Sequence, residues 1–180
     1  MKLLALPLLF VFASCSTQSC WKGGEPMRQT EMRSQWGAEI DINQSANNVK
    51  IYRGLAHPVA DKGAYERQVK RGGWVEFQGF KFFAQPYDAK PGTAEKVLDI
   101  YKLSASHEAQ AIKTTCAGFH PDYALVWSKN GKQRVLQICY GCHEWKYFGP
   151  GGKVHTDIED KTYFQKLIPL LPKARERPRP

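Results

Sequence analysis

The sequence feature that most constrains the fold is the pair Asn130-Gly131, which lies between two apolar runs that resemble strands. Tyr123–Trp127 precedes the pair, and the longer run Val135–Phe148 follows it. Asn-Gly strongly favours a tight hairpin turn, because both residues tolerate the positive φ that such a turn requires. The pattern therefore predicts an antiparallel hairpin with its turn at 128–132 and one long return strand.

Shorter patterns predict the remaining elements. Alternating or β-branched runs predict strands, and helical spacing of apolar residues predicts helices. The predicted strands cover 49–53, 74–77, 80–83 and 154–158, and the predicted helices cover 61–71, 93–103 and 160–171. Thr93 and Asp160 are expected to be N-caps. Strands in a meander and hairpins, packed with two or three helices of which one is C-terminal, define an α+β fold with antiparallel sheets.

The last predicted helix has two further features. Pro169 is expected to kink or shorten it, since proline has no N–H to donate. Helical spacing places its apolar side chains on one face: Tyr163, Phe164, Leu167, Ile168 and Leu171.

The N-terminus indicates export. Lys2 is followed by an apolar stretch from Leu3 to Phe12, which is typical of a secretory signal and too short for a spanning helix. Val11–Cys15 also resembles a bacterial lipoprotein cleavage box, so 1–14 is expected to be removed and Cys15 lipidated. Acyl chains on Cys15 would anchor the protein to a lipid bilayer, facing the periplasm, and Ser16 favours the outer membrane. The alternative is an ordinary signal peptide in which Cys15 is incidental.

Composition divides the rest of the chain. Polar residues 15–48 are expected to form a tether and lead-in, 49–172 a single domain, and 173–180 a basic disordered tail. The 26 basic and 17 acidic residues give a formal charge of +9. Outside the tail the basic residues are scattered, so nucleic acid is not an expected partner. In an exported protein such a charge more often indicates proximity to anionic lipid or polysaccharide, or has no specific meaning.

Two cysteine-bearing segments form the candidate site. The run Cys139-Tyr-Gly-Cys142-His143 lies on the predicted return strand, and Cys116 and His120 precede the first strand of the hairpin. Pairing outward from the turn places the two segments opposite each other. We therefore expect Cys116, Cys139, Cys142, His120 and His143 to gather in one small volume, with a bulge at Gly141 turning both strand sulfurs to one side.

Several chemistries fit such a site. A structural disulfide could join Cys139 to Cys142 or Cys116 to either of them. A tetrahedral, zinc-like site could use Cys116, Cys139 and Cys142 with His120 or His143. Covalent haem c would use Cys139, Cys142 and His143, and a thiol–disulfide exchanger would use the same two cysteines. Two buried, unpaired cysteines are the remaining possibility.

The sequence favours a disulfide or a metal over the redox alternatives. Small c-type cytochromes carry their motif near the N-terminus in a helical setting with a methionine downstream, whereas no methionine follows Cys139 here. Redox dithiols of the thioredoxin type lie at the start of a helix, and a strand is predicted here. No phosphate loop or nucleophile elbow occurs, and enzymatic activity stays open. Pro121 and Asp122 are expected to be structural, Pro121 fixing the backbone and Asp122 capping a turn.

The segments Cys116-Ala-Gly-Phe-His-Pro-Asp-Tyr and Ile138-Cys-Tyr-Gly-Cys-His-Glu144, with the terminal helix, resemble a group of uncharacterised bacterial exported proteins. In that group a C-G-F-H-P-D-Y-type segment precedes a C-F-G-C-H/N-type segment on a hairpin. The likeness covers the last third to half of the chain. It implies the paired-motif site and an exported protein, but no known activity. The leading hypothesis is a binding or structural module rather than a redox protein.

Overall fold

The computed structural model describes residues 48–108 and 118–173, and their strands form two antiparallel sheets. The strands are β1 (Lys50–Arg53), β2 (Trp74–Phe77), β3 (Phe80–Phe83), β4 (His107–Glu108), β5 (Tyr123–Lys129), β6 (Lys132–Cys139), β7 (Glu144–Gly149) and β8 (Gly152–Ile158). Six strands make one sheet in the order β1-β5-β6-β7-β8-β4, and β2 and β3 form a separate hairpin. The predicted α+β class is confirmed.

Helices complete the described part of the chain. They are α1 (Lys62–Arg71), α2 (Thr93–Lys102), a 3-10 turn (Ser104–Ser106), a π-helical turn (Thr162–Leu167) and the short α3 (Ile168–Leu170). None of the helices in the described residues is long and apolar enough to cross a bilayer. The predicted signal sequence, Cys15, nearly all of the tether, Cys116 and most of the basic tail lie outside the described residues.

The predicted hairpin at Asn130-Gly131 is confirmed in position and register. Both turn residues have positive φ, 54° and 72°, as the tight turn requires. Val126 lies opposite Val135 and Tyr123 opposite Ile138, as predicted. The hairpin of β2 and β3 turns in the same way at Gln78 and Gly79, with φ of 53° and 81°.

The predicted single return strand over 135–148 is wrong, because the chain turns within it. Strand β6 ends at Cys139, β7 begins at Glu144, and the two strands pair with each other. His143 has a φ of 52°, a left-handed conformation that interrupts the extended backbone. The expected glycine bulge at Gly141 is therefore wrong as well: the cysteine motif is the turn between two neighbouring strands, which we call the CxxC turn (139–143).

The core lies on both faces of the large sheet. One face packs against α2 and the C-terminal helical segment, and it includes the fully buried Trp145 in edge-to-face contact with Tyr101 at 5.1 Å. The other face is covered in part by the β2–β3 hairpin through the buried Phe82, which packs against Ala124, Val126 and Val135. Strands β5 and β6 are thus apolar on both sides at their centre.

Helix ends differ from the prediction at two places. Helix α2 begins at Thr93 itself, and Gly92, with a φ of 77°, occupies the cap position. In the C-terminal segment Glu159, rather than Asp160, satisfies the first N–H groups: its carboxylate accepts from Lys161 N at 3.0 Å and from Thr162 N at 2.8 Å. The Glu side chain precedes the first helical turn and reaches forward to the orphan donors.

The apolar face of the C-terminal segment is also narrower than predicted. Tyr163, Leu167 and Leu171 are buried, but Phe164 is 60% exposed. A π-helical turn has more residues per turn than an α-helix, so side chains leave the positions that a 3.6-residue period assigns to them. The turn covers 162–167 and ends just before Pro169.

A buried histidine on β4 gives a prediction for the pH dependence of stability. His107 Nε2 donates to the Tyr101 carbonyl, and its Nδ1 accepts from the Thr156 hydroxyl at 2.8 Å, which fixes the neutral ring. Burial lowers the pKa of His107, and the hydrogen bond to the Tyr101 carbonyl opposes this only in part. The unfolded chain therefore takes up a proton at a higher pH than the folded protein does.

The contribution of His107 to folding is accordingly complete above the unfolded pKa of about 6.5 and is lost as the pH falls below it, by at most about 1.4 kcal/mol per pH unit. Urea unfolding between pH 7.5 and 5 should show this decline. The variant His107→Gln should show a smaller decline, and an equal decline in both proteins would contradict the assignment.

Candidate thiol site

The CxxC turn places two buried sulfurs next to each other. Cys139 and Cys142 are 2% and 3% exposed. The backbone N–H of Cys142 donates to Cys139 Sγ at 3.3 Å. The backbone N–H of His120 also donates to this sulfur. Cys139 is thus the centre of a small hydrogen-bond network.

The environment keeps Cys139 protonated. Burial raises the pKa of its thiol, and the hydrogen bonds from His120 and Cys142 offset this effect only in part. The thiolate is the reactive form of cysteine, so a raised pKa and a buried sulfur describe an unreactive group. This disfavours the thiol–disulfide exchanger, which needs a cysteine with a lowered pKa.

The residues before β5 are bonded to the CxxC turn, and we call 118–122 the latch segment. The Cys142 thiol donates to the carbonyl of Gly118 at 3.5 Å. The Asp122 carboxylate accepts from Tyr140 N at 2.7 Å, and Asp122 N donates to the carbonyl of Ile138 at 2.8 Å. Asp122 does cap a turn, but the turn is the CxxC turn on the neighbouring strand.

The other end of the latch segment is held against β1. Gly54 N donates to the carbonyl of Asp122 at 2.8 Å. The backbones approach so closely that a Cβ atom at Gly54 would lie 2.0 Å from the carbonyl oxygen of Pro121. His120 Nε2 donates to the carbonyl of Leu55 at 2.9 Å. The latch segment therefore connects the end of β1 with the CxxC turn.

The side chains of the two predicted histidines, His120 and His143, contact residues other than the two cysteines. The imidazole of His120 bonds to Leu55 and lies 4.9 Å from the ring of His57. The ring of His143 stacks on Tyr163 at 3.8 Å, and its Nδ1 is 3.6 Å from Asp160 Oδ1. The structure thus brings together Cys139, Cys142 and the backbone of His120, while Cys116 lies outside the described residues.

This geometry bears on the metal and haem hypotheses. Among residues 48–108 and 118–173, no group of three or more His, Cys, Asp or Glu side chains is arranged to hold a metal ion. Haem c would need both thiols at its edge and a ring nitrogen of His143 directed towards its iron. Here both sulfurs are buried, which disfavours haem.

The C-terminal segment anchors the CxxC turn from the other side of the sheet. Tyr140 is fully buried, and its hydroxyl donates to the carbonyl of Leu171 at 2.7 Å. The Tyr163 hydroxyl donates to the carbonyl of Tyr140 at 3.2 Å. The turn is therefore held by side chains from two elements that are distant in sequence.

Sequence reasoning missed the polar neighbours of Cys139. Glu144 lies opposite Cys139 across the β6–β7 pair and is buried. His155 Nε2 is 2.7 Å from Glu144 Oε2, although burial still lowers the pKa of His155. Lys146 Nζ lies 3.8 Å from the ring centroid of Phe119 in the latch segment. These pairings could have been predicted if the CxxC turn had been placed correctly, because cross-strand neighbours follow from the register.

No protein-family model, curated protein or solved structure matches the chain. The resemblance to exported proteins with paired motifs therefore stays a prediction, and the site is interpreted from its geometry.

Thiol reactivity gives a test of this geometry. We expect Cys139 and Cys142, when reduced, to react with iodoacetamide at pH 8 at least about tenfold more slowly than an exposed cysteine, because they are buried and the thiolate of Cys139 is disfavoured. The matched control is a cysteine introduced by Ser128→Cys at an exposed position near the end of β5. Peptide mass spectrometry measures each site, and rates equal to the control would contradict the buried arrangement.

Proposed function

We propose that this protein is an exported, membrane-anchored structural or binding module whose thiol site holds a disulfide between Cys142 and Cys116. The observation that carries the proposal is the contact between Cys142 Sγ and the Gly118 carbonyl at 3.5 Å. The bridge would fasten the chain entering the latch segment to the CxxC turn, and it would leave Cys139 as a buried thiol.

Chain connectivity supports this pairing. Cys116 precedes Gly118 by two residues, so covalent geometry limits the distance between their Cα atoms to about 7 Å. Disulfides join cysteines whose Cα atoms are about 4.4–6.8 Å apart. Cys142 therefore has a suitable partner within reach of the chain. Forming the bond releases two protons and passes two electrons to an external disulfide, which an oxidising compartment supplies.

The environment of Cys139 and Cys142 supports a structural role for the site rather than catalysis. The sulfurs are buried, and the pKa of the Cys139 thiol is raised. Catalytic and redox-sensing cysteines are accessible and have lowered pKa values. A disulfide in this position would instead stabilise the fold by restricting the unfolded chain.

Reduction tests the proposal directly. Closing a loop of about 25 residues is expected to contribute about 3–4 kcal/mol to the free energy of unfolding. Dithiothreitol should remove this contribution from the wild-type protein. Cys142→Ser should be less stable and insensitive to dithiothreitol, whereas the matched control Cys139→Ser should keep its response. A wild-type protein that is indifferent to dithiothreitol would contradict the proposal.

A metal site is the second candidate, and the hydrogen bonds to Cys139 favour it. Metal-bound thiolates commonly accept hydrogen bonds from backbone N–H groups, and Cys139 Sγ has two such donors, from His120 and Cys142. Cys116, Cys139 and Cys142 would supply three thiolates of the zinc-like set. A chelator would then lower the stability of the protein, whereas a phosphine reductant, which is not a chelating dithiol, would leave it unchanged. This result would replace the disulfide proposal.

The proposed export and membrane anchoring are consistent with either a disulfide or a metal at the thiol site. Lipidation at Cys15 would leave the folded domain beside a bilayer through the long polar tether, with the lipid bilayer as the partner of the acylated N-terminus. Radiolabelled palmitate incorporation that Cys15→Ser abolishes is the expected result. Export of the unlabelled protein with 1–14 removed would identify an ordinary signal peptide instead.

A further inference from the structure

A buried arginine lies at the turn end of the large sheet. Arg134 is 6% exposed, which is unusual for a residue that keeps its charge at every physiological pH. Its Nη1 donates to the carbonyls of Lys129 and Lys132, at 3.1 Å and 3.0 Å. These two carbonyls bracket the Asn130-Gly131 turn, so one corner of the guanidinium is used to hold the hairpin tip.

The opposite edge of the guanidinium takes no part in these two hydrogen bonds. Arg134 Nε is buried and has no hydrogen-bond partner within the described part of the chain. To the residues that the structure describes, this side chain donates its hydrogen bonds from Nη1. Burying a charged donor without a partner is costly, so an atom of this kind indicates an additional hydrogen-bond partner such as a bound ion. The Nε–H and the adjacent Nη2–H are the pair of parallel donors with which arginine binds carboxylates and phosphates.

The surroundings of Arg134 favour an anion. Residues 127–136 and 148–154, the strand ends and turns nearest to it, contain Lys129, Lys132 and Lys153 and no acidic residue. Trp127 lies directly opposite Arg134 across the β5–β6 pair and forms an apolar wall. Continuing the β6–β7 pairing by one residue beyond Val135 and Phe148 places Gly149 opposite Arg134. The Tyr147 hydroxyl lies close to the backbone of Gly149, since a Cβ atom built on Gly149 would be only 2.3 Å from that hydroxyl.

We propose that Arg134 anchors a binding site for an oxyanion, the carboxylate or phosphate group of a ligand. The Nε–H and Nη2–H edge would hold two oxygens, while Lys132 and Lys153, both exposed, would attract the anion electrostatically. The site is independent of the thiol site, because the turns at 130–131 and 150–151 lie at the end of the sheet opposite the CxxC turn.

The test observes the arginine itself in the wild-type protein. In ¹⁵N–¹H spectra of the arginine Nε–H groups, inorganic phosphate and acetate are titrated separately at constant ionic strength, with chloride as the balancing ion. We expect a saturable shift of the Arg134 Nε–H signal with at least one probe. The signal is assigned by its loss in Arg134→Lys, or by sequential assignment of the wild type if that variant does not fold.

Two variants separate the contribution of the parallel Nε–H and Nη2–H donors from that of the general positive charge. Lys132→Gln should bind the probe several-fold more weakly and still shift the Arg134 signal. Arg134→Lys keeps the charge but loses the parallel donors, and it should lose saturable binding. An Arg134 signal that does not respond to either probe would overturn the proposal, as would shifts that grow linearly with concentration, which indicate screening only.

The source of the anion is resolved by a further arm of the same experiment. Vesicles of phosphatidylglycerol are compared with vesicles of phosphatidylcholine in a flotation assay of protein without the acylated N-terminus. Binding to phosphatidylglycerol that Arg134→Lys abolishes would identify a lipid headgroup. Saturable phosphate binding in solution without this flotation would identify a soluble phosphate or carboxylate ligand. Flotation that is equal for wild type and Arg134→Lys would show a general charge effect and would count against Arg134 as the anchor.

Discussion

Replacing Gly54 by alanine is expected to destabilise the protein by about 2–3 kcal/mol, because the new methyl group has no space. A Cβ atom there would lie 2.0 Å from the carbonyl oxygen of Pro121, a backbone atom that cannot rotate away. The latch segment must then shift, and the hydrogen bond from Gly54 N to the Asp122 carbonyl is strained with it. Urea unfolding monitored by tryptophan fluorescence measures the loss.

The matched control is Gly63→Ala. Gly63 is exposed within α1, and its Cβ atom would meet only the end of the flexible Arg67 side chain at 3.4 Å. Alanine is the better helix former, so this variant should be as stable as the wild type or more stable, by up to about 1 kcal/mol. If Gly54→Ala behaved like Gly63→Ala, the close contact between β1 and the latch segment would be refuted.

Replacing Asp122 by alanine is expected to cost about 2–3 kcal/mol and to loosen the CxxC turn. The carboxylate accepts from Tyr140 N at 2.7 Å, and Tyr140 is fully buried, so the variant leaves a buried donor without a partner. The effect should extend to the sulfurs, because the same segment carries the backbone N–H of His120 that donates to Cys139.

Two measurements check this prediction. Unfolding in urea gives the stability change, and iodoacetamide labelling of the reduced protein should be faster at Cys139 and Cys142 in Asp122→Ala than in the wild type. The control is Asp99→Ala, which removes an exposed carboxylate 3.3 Å from Lys102 and should change neither quantity appreciably. Destabilisation without faster labelling would show that Asp122 stabilises the fold but does not order the thiol site.

The local elements were largely predictable because their signals are local. Asn130-Gly131 specifies a turn through the φ values that only a few residues tolerate, and the hairpin register followed from it. Helix α1 was predicted over 61–71, and the structure has it at Lys62–Arg71, with the Asp61 side chain accepting from Ala64 N. Such features depend on a few neighbouring residues and require no knowledge of the tertiary structure.

The CxxC turn was not predictable in the same way. The run from Val135 to Phe148 is mostly apolar and aromatic, and its Gly141 is equally compatible with a bulge, so its composition does not specify a turn. The turn depends on Asp122, which is distant in sequence, and on a left-handed conformation at His143 rather than at the neighbouring Gly141. Pairings such as β1 with β5 are likewise set by tertiary packing that a single sequence does not display.

The candidate site was predicted in part for the same reason. Register counting brought the latch segment and the cysteine motif together, and the contacts of Cys142 with Gly118 and of Asp122 with Tyr140 support that placement. The histidine side chains could not be placed, because their orientation depends on Leu55 and Tyr163, which belong to elements outside the hairpin. Spacing alone therefore overestimated the number of side chains that converge on the sulfurs.

Peptide mapping of the exported protein, alkylated under denaturing conditions without a reductant, distinguishes the disulfide from the other centres. We predict a disulfide-linked pair of peptides that contain Cys116 and Cys142, with Cys139 carrying one alkyl group. Alkyl groups on all three cysteines would contradict the disulfide, and a haem mass on the peptide of the CxxC turn would contradict the structural role altogether.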